Sequence, residues 1–348
     1  MNRDETIIKN FKQKSFLKIM DFSKEELTQL IDLSIMMKKA KKENIPHKLL
    51  KDKNIALIFE KPSTRTRAAF SVAGRDLGAN IDYFGKEELH IGEKESIEDT
   101  AIVLGRMYDA IEFRGHRHQD VEALSASAKV PVWNGLTDEW HPTQMIADFM
   151  TITEVFGSLE DKTLSYIGDG RNNIARDLLI TGSILGVNVN IISPEKLFPD
   201  DDIIQMAQQY ATLSGSKINI SSDIDKTIVN SDVIYTDVWF SMGESKDLID
   251  ERIQLLKPFQ VNQQLLEKTK NPNTIVLHCL PAFHDTNTNI GLSIHNKYDL
   301  EAMEITDQVF QTNKEMIFNQ AENRLHSIKA IMAVTLGDMD TFYEQMAI

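Results

Sequence analysis

Short apolar runs and stretches of helical periodicity take turns along nearly the whole chain, and that alternation leaves few folds open. Ile55 to Phe59, Ile81 to Phe84, Ala110 to Phe113 and Val130 to Trp133 have the length and make-up of strands. Helix-patterned stretches at Thr66 to Leu77, Ile97 to Tyr108 and Val121 to Ala128 lie between them. A helix that carries the chain back to the starting edge of a sheet sets the next strand parallel to the last, so the rhythm predicts a parallel α/β sheet. After a helical stretch from Pro142 to about Phe156 the rhythm restarts, with strand-like runs at Leu164 to Ile167, Val187 to Ile192, Ile218 to Ile220, Val233 to Val238 and Ile275 to Leu280. The restart predicts a second α/β domain, also a parallel sheet flanked by helices.

The ends of the chain carry helices. Ser23 followed by Glu26 is a capping box, and Leu27, Leu30 and Ile31 repeat at helical spacing, so the first helix runs from about Ser23 to about Lys42. The segment from about Lys314 to Gln345 reads as helix, broken at most near Gly337, and is long enough to reach back across the domain boundary and pack on the first domain. A length of 348 residues fits two domains. The division expected is 1–150, joined by the C-terminal helix 319–348, and 151–318.

Composition narrows the classes of function. With 42% apolar and 26% charged residues the chain reads as an ordinary soluble globular protein. No stretch has the roughly 18 uninterrupted apolar residues of a membrane span, and Arg3, Asp4, Glu5, Lys9, Lys12 and Lys14 break up the start, so neither a span nor a signal peptide is expected. A cytoplasmic location follows from that reading. The single cysteine, Cys279, allows neither an internal disulfide nor a multi-cysteine zinc site, so no metal is expected and any special task for this thiol is chemical. A net charge of -14 argues against a nucleic-acid surface, and an anion would have to be held by local arginines.

Such arginines exist. Ser63, Thr64, Arg65, Thr66 and Arg67 stand between a strand and a helix start, where hydroxyls, guanidinium groups and unpaired backbone N–H groups can converge on one phosphate. The alternative is a capped helix with two solvated arginines. Arg114, with Gly115 after it, stands at the carboxyl end of another strand, where open α/β sheets place ligand contacts. His141 and Gln144 flank Pro142 at a further helix start, and a histidine there can donate to a carbonyl oxygen on which charge develops, or simply cap the helix.

In the second half, Gly168-Asp169-Gly170-Arg171-Asn172-Asn173 forms a strand-to-helix turn. Asn173 stands where a dinucleotide fingerprint has its third glycine, which argues against a nicotinamide cofactor. Asn172 and Asn173 offer amides suited to an amino acid's carboxylate and ammonium. Asp237 near a strand end, with Ser241, Met242 and Gly243 close behind, suits a substrate ammonium, unless it only caps the next helix. His278-Cys279-Leu280-Pro281 places the thiol at one more strand end.

Together these segments resemble the aspartate/ornithine carbamoyltransferase family over nearly the whole chain. The Ser63–Arg67 motif, Arg114 with Gly115, and His141 to Gln144 are similar to the residues that bind carbamoyl phosphate in that family. Asp237 with Ser241-Met242-Gly243, and the His278–Pro281 motif, resemble the members that use ornithine; putrescine is the alternative acceptor. Gln320 to Arg324 is similar to the family's final helix, whose arginine, here Arg324, reaches the reacting carbonyl. The resemblance implies transfer of the carbamoyl group of carbamoyl phosphate to the δ-amine of L-ornithine, giving citrulline and phosphate, without a cofactor. It implies that the first domain binds carbamoyl phosphate and the second ornithine. The catalytic groups it implies are Arg114, His141, Cys279 and Arg324. The donor contacts are Ser63, Thr64, Arg65, Thr66, His90, Arg114, His141, Gln144, Cys279, Leu280 and Arg324, and the acceptor contacts are Asn173, Asp237, Ser241 and Met242. It further implies a homotrimer in which the loop bearing His90 enters a neighbour's site. Two departures stand out: His90 where many relatives have glutamine, and Ile174 to Asp177 where ornithine-using members have a small residue, then Asn and Ser.

Overall fold

The computed structural model describes residues 9–89, 91, 94–240 and 246–346. The chain divides into two compact units, Met1–Val155 with Glu322–Ile348, and Phe156–Ala321.

In the first unit, α1 (Lys24–Lys42) begins with the capping box expected: the backbone N–H of Glu26 donates to Ser23 Oγ at 3.2 Å, and that of Ser23 to Glu26 Oε2 at 2.8 Å. Then come β1 (Asn54–Phe59), α2 (Thr64–Leu77), β2 (Asn80–Gly85), α3 (Ile97–Gly105), β3 (Ala110–Arg114), α4 (His118–Ala128), β4 (Val132–Leu136) and α5 (Pro142–Phe156). The four strands are parallel in the order β2-β1-β3-β4. The chain leaves β1 for one side and returns on the other as β3, so the sheet reverses its order between these two strands, the place where open α/β sheets take ligands. Ile55 to Phe59 are all buried, as a strand covered on both faces requires.

The second unit holds β5 (Thr163–Ile167), α6 (Asn173–Leu185), β6 (Asn188–Ile192), α7 (Asp201–Ser214), β7 (Ile218–Ser221), β8 (Val233–Thr236), α8 (Lys246–Leu256) and β9 (Ile275–His278). Its five parallel strands lie in the order β7-β6-β5-β8-β9, with the reversal between β5 and β8. The long helix α9 (Lys314–Leu336) ends before a further helix, α10 (Met339–Met346), and the chain from Glu322 onward belongs to the first unit.

Several element ends differ from the apolar pattern. The fourth strand begins at Val132 and continues through Asn134 and Gly135 to Leu136, because the buried Asn134 amide donates to Leu17 O at 2.9 Å and so behaves as a core residue. The second helix starts at Thr64, with Ser63 as its cap. Strands β8 and β9 stop at Thr236 and His278, so Asp237, Cys279 and Leu280 lie in the turns just beyond them rather than within the strands.

Candidate active site

In the first unit the cluster of hydroxyls and arginines forms where β1 and β3 end. Ser63 Oγ accepts from the backbone N–H of Thr66 at 3.3 Å, which starts α2 and leaves its earlier N–H groups facing outward. Thr66 is buried, and its hydroxyl oxygen is shared: Arg114 Nη1 donates to it at 3.2 Å and Arg324 Nη2 at 3.1 Å. Arg324 Nη1 also donates to Gln144 Oε1 at 3.2 Å, and Gln144 Nε2 donates to Asp148 Oδ1 at 2.7 Å. Two guanidinium groups from distant parts of the chain are thus held at one helix start. Arg65 is exposed at the same place and close enough to act electrostatically on Arg114 and on His141. Arg67 turns away and stacks on Tyr83, its guanidinium carbon 3.7 Å from the ring centre.

His141 is buried at the start of α5. Burial, then the charges of Arg324, Arg114 and Arg65, hold its imidazole well below the usual histidine range. It is therefore neutral near pH 7 and can offer an N–H without carrying charge.

In the second unit the turn after β5 shows why it uses glycine. Gly168 has φ +147, a region that favours glycine, and a Cβ on Gly170 would stand 2.7 Å from Leu197 O. Asp169, buried, pairs with Arg252, so this turn's acid is engaged within the unit. Asn172 caps α6, accepting from the Ala175 N–H at 2.7 Å. Asp237, just past β8, is buried: Oδ1 accepts from Cys279 Sγ at 3.1 Å and from the Val238 N–H at 2.8 Å, and Oδ2 accepts from Asn172 Nδ2 at 3.3 Å. Burial raises its pKa, and His278, Cys279 and Val238 pull in the other direction. Leu280 has φ +59, and its N–H donates to His278 Nδ1 at 2.9 Å while His278 Nε2 meets Glu304 Oε1 at 3.1 Å, so the turn bearing Cys279 is tied from below. Asn173 opens α6 beside Asn172.

The structure thus brings Ser63, Thr66, Arg114, Gln144 and Arg324 together in one unit, with Thr64, Arg65 and His141 beside them, and Asp237 and Cys279 together in the other. His90, Ser241 and Met242 lie outside the described residues. Asn172 is legible in the sequence for its amide, although its bond to Asp237 is not. Two residues of these clusters escaped assignment from sequence. Tyr166 and Glu112 each stand as a polar side chain inside a buried strand run, a signal that apolar periodicity passes over.

Residues 14–154 match the family model described as aspartate/ornithine carbamoyltransferase, carbamoyl-P binding domain, and residues 160–335 match the one described as aspartate/ornithine carbamoyltransferase, Asp/Orn binding domain. The chain is 56% identical over 331 residues, 95% of its length and 98% of the relative's, to a Bacillus licheniformis protein named ornithine carbamoyltransferase, catabolic. A Streptococcus ratti protein of the same name is 56% identical over 94% of this chain and 97% of its own. Among solved structures, the ornithine carbamoyltransferase from Pyrococcus furiosus is similar with a TM-score of 0.85 and 40% identity, covering 94% of this chain and 98% of that one. The anabolic ornithine carbamoyltransferase from Campylobacter jejuni has a TM-score of 0.81 and 34% identity, covering 92% and 98%.

Proposed function

This chain belongs to the aspartate/ornithine carbamoyltransferase family, and we infer that it transfers the carbamoyl group of carbamoyl phosphate to the δ-amine of L-ornithine, giving citrulline and phosphate. The phosphate meets Ser63, Thr64, Arg65, Thr66 and Arg114 around the start of α2, where the helix dipole and unpaired N–H groups add to the attraction. Neutral His141 donates to the carbamoyl oxygen as it becomes an oxyanion. Arg324, oriented by Gln144, addresses the same oxygen, and the backbone at Cys279 and Leu280 takes the carbamoyl amide. Asn173 and Asp237 receive the amino-acid end of ornithine, with Ser241 and Met242 completing the contact as in the family.

The amine nitrogen attacks the carbonyl carbon, a tetrahedral intermediate forms, and the C–O bond to phosphate breaks. The amine's proton leaves on a phosphate oxygen, so atoms and charge balance without a metal or cofactor. An alkyl amine with a pKa of about 10.4 is almost wholly protonated at pH 7, and reaching its neutral form costs about 4–5 kcal/mol unless the site lowers that pKa. Nearby arginines and desolvation act in that direction. The Cys279 thiol, bonded to Asp237, adjusts the position of the amine.

The observation that carries the acceptor assignment is Asp237, a buried carboxylate gripped by Cys279 and Asn172 at the strand ends. Citrulline formation with ornithine, compared with carbamoylation of putrescine, tests it. Putrescine keeps an ammonium where ornithine has its α-ammonium but lacks the α-carboxylate, so the groups that meet that carboxylate are left unpaired at about 1–3 kcal/mol each, and ornithine should win by about tenfold or more in kcat/KM. Equal or better turnover of putrescine overturns the assignment. The relatives named catabolic favour a cellular role in the reverse direction, from citrulline and phosphate. A cytoplasmic location suits a thiol that has to stay reduced to bond Asp237. A homotrimer with shared sites suits the apolar side chains that Ile102, Val103 and Met107 leave exposed on and just after α3.

A further inference from the structure

Tyr166 lies on β5, two residues before the Gly168 turn, fully buried and stacked on Tyr235 with ring centres 6.3 Å apart. A tyrosine serving only as core filling gains nothing from its hydroxyl, because burying that group is costly unless it is hydrogen-bonded. Here the hydroxyl oxygen accepts from Asn172 Nδ2 at 2.7 Å. The same amide nitrogen donates to Asp237 Oδ2 at 3.3 Å, while the amide oxygen is taken by the Ala175 N–H. Each polar atom of Asn172 is thus used, and its orientation is dictated: turned over, it would set oxygen against the Asp237 carboxylate and N–H against N–H. Asp237 in turn takes the Cys279 thiol on its other oxygen. A relay therefore runs from Tyr166 through Asn172 to Asp237 and Cys279. Burial, then Asp237, Asp169 and Cys279, hold the phenol's pKa well above its ordinary value, so it stays a neutral partner.

We propose that Tyr166 is a positioning residue for the acceptor substrate, its hydroxyl pinning Asn172 so that the Asp237 carboxylate is presented in one orientation to the substrate's ammonium. The proposal rests on the acceptor role assigned to Asp237. Tyr166→Phe removes the oxygen alone and keeps the stacked ring. Asn172 then loses one partner, Asp237 gains freedom, and the effect falls on acceptor binding.

The test is steady-state kinetics of citrulline formation, with each substrate varied in turn. Tyr166→Phe should raise the ornithine KM about tenfold, the scale of one hydrogen bond next to a charged group, with kcat within about threefold and the carbamoyl phosphate KM unchanged. A role in packing alone would lower the melting temperature and leave both KM values in place, and that result overturns the proposal. Asn172→Ser keeps a cap for α6 but is too short to bridge Tyr166 and Asp237. It should also raise the ornithine KM, and Tyr166→Phe added to it should cost less than about threefold more. Full additivity overturns the relay, and if Tyr166→Phe fails to fold, an unchanged ornithine KM in Asn172→Ser does so instead. Absence of citrulline with the unaltered protein would fall on the acceptor reading itself, and the proposal would fall with it.

Discussion

Glu112 sits in the middle of β3 with both carboxylate oxygens buried and, among the described residues, without a hydrogen-bond partner. It packs so tightly on Gly135 that a Cβ there would overlap it. Burial pushes its pKa well above the ordinary 4.5, against the pull of Arg114 and Arg324. A carboxyl that binds its proton more tightly folded than unfolded loses stability for the fold as pH rises from the unfolded value through the folded one. Glu112→Gln removes that loss. Urea midpoints at about pH 5 and about pH 8 should therefore show the unaltered protein falling relative to the variant as pH rises; a constant gap would mean that Glu112 titrates normally. Arg65 gives a different kind of prediction, since it is exposed at the proposed phosphate site. Arg65→Ala should still fold and lose on the order of 100-fold in kcat/KM. Near-normal turnover would place the phosphate elsewhere.

At the scale of elements, Gly105 ends α3 where the apolar pattern continues to Tyr108. Its Cα rests on the backbone of Ala128 at the end of α4, and a Cβ would overlap the Ala128 carbonyl. Backbone cannot step aside as a side chain can, so Gly105→Ala should cost about 1–3 kcal/mol. Ser23→Ala, which removes one half of a capping box on α1, should cost about 1 kcal/mol. Urea unfolding of both measures the difference. A neutral Gly105→Ala would mean that the ends of α3 and α4 part at little cost. The interiors of these elements were legible from sequence because burial repeats with the period of the backbone. Some of their ends were not, because Gly105, Asn134 and Asp237 are set by what lies across from them.

For the whole molecule, the homotrimer proposed above would share its sites by closed symmetry, each subunit lending a loop to one neighbour and borrowing one from the other. Arg65→Ala and His90→Ala should each be nearly inactive alone. Refolded together in equal amounts, about a quarter of sites would join an intact Arg65 to an intact His90 from the neighbour, and citrulline formation should return in that proportion. Mixed trimers, verified by mass, that stay inactive would mean that each subunit owns its site.

The sequence by itself carried what depends on near neighbours: the strand–helix rhythm, the capping box at Ser23, the hydroxyls and arginines gathered at the start of α2, the missing third glycine after Gly170, and the family resemblance that singled out Arg324 and Asp237. Those signals are local, since helix and strand periods and caps are set within a few residues. What only the tertiary structure decided is which of these meet. The orders β2-β1-β3-β4 and β7-β6-β5-β8-β9 bring the end of β1 beside that of β3 and the end of β5 beside that of β8. Thr66 and Arg324, 258 residues apart, then share one hydroxyl, and Asn172 and Asp237, 65 residues apart, share one N–H. No local pattern encodes such pairs, because they arise when packed sheets bury surface contributed by distant segments, and the polar groups carried inside must find partners in whatever chain arrives beside them.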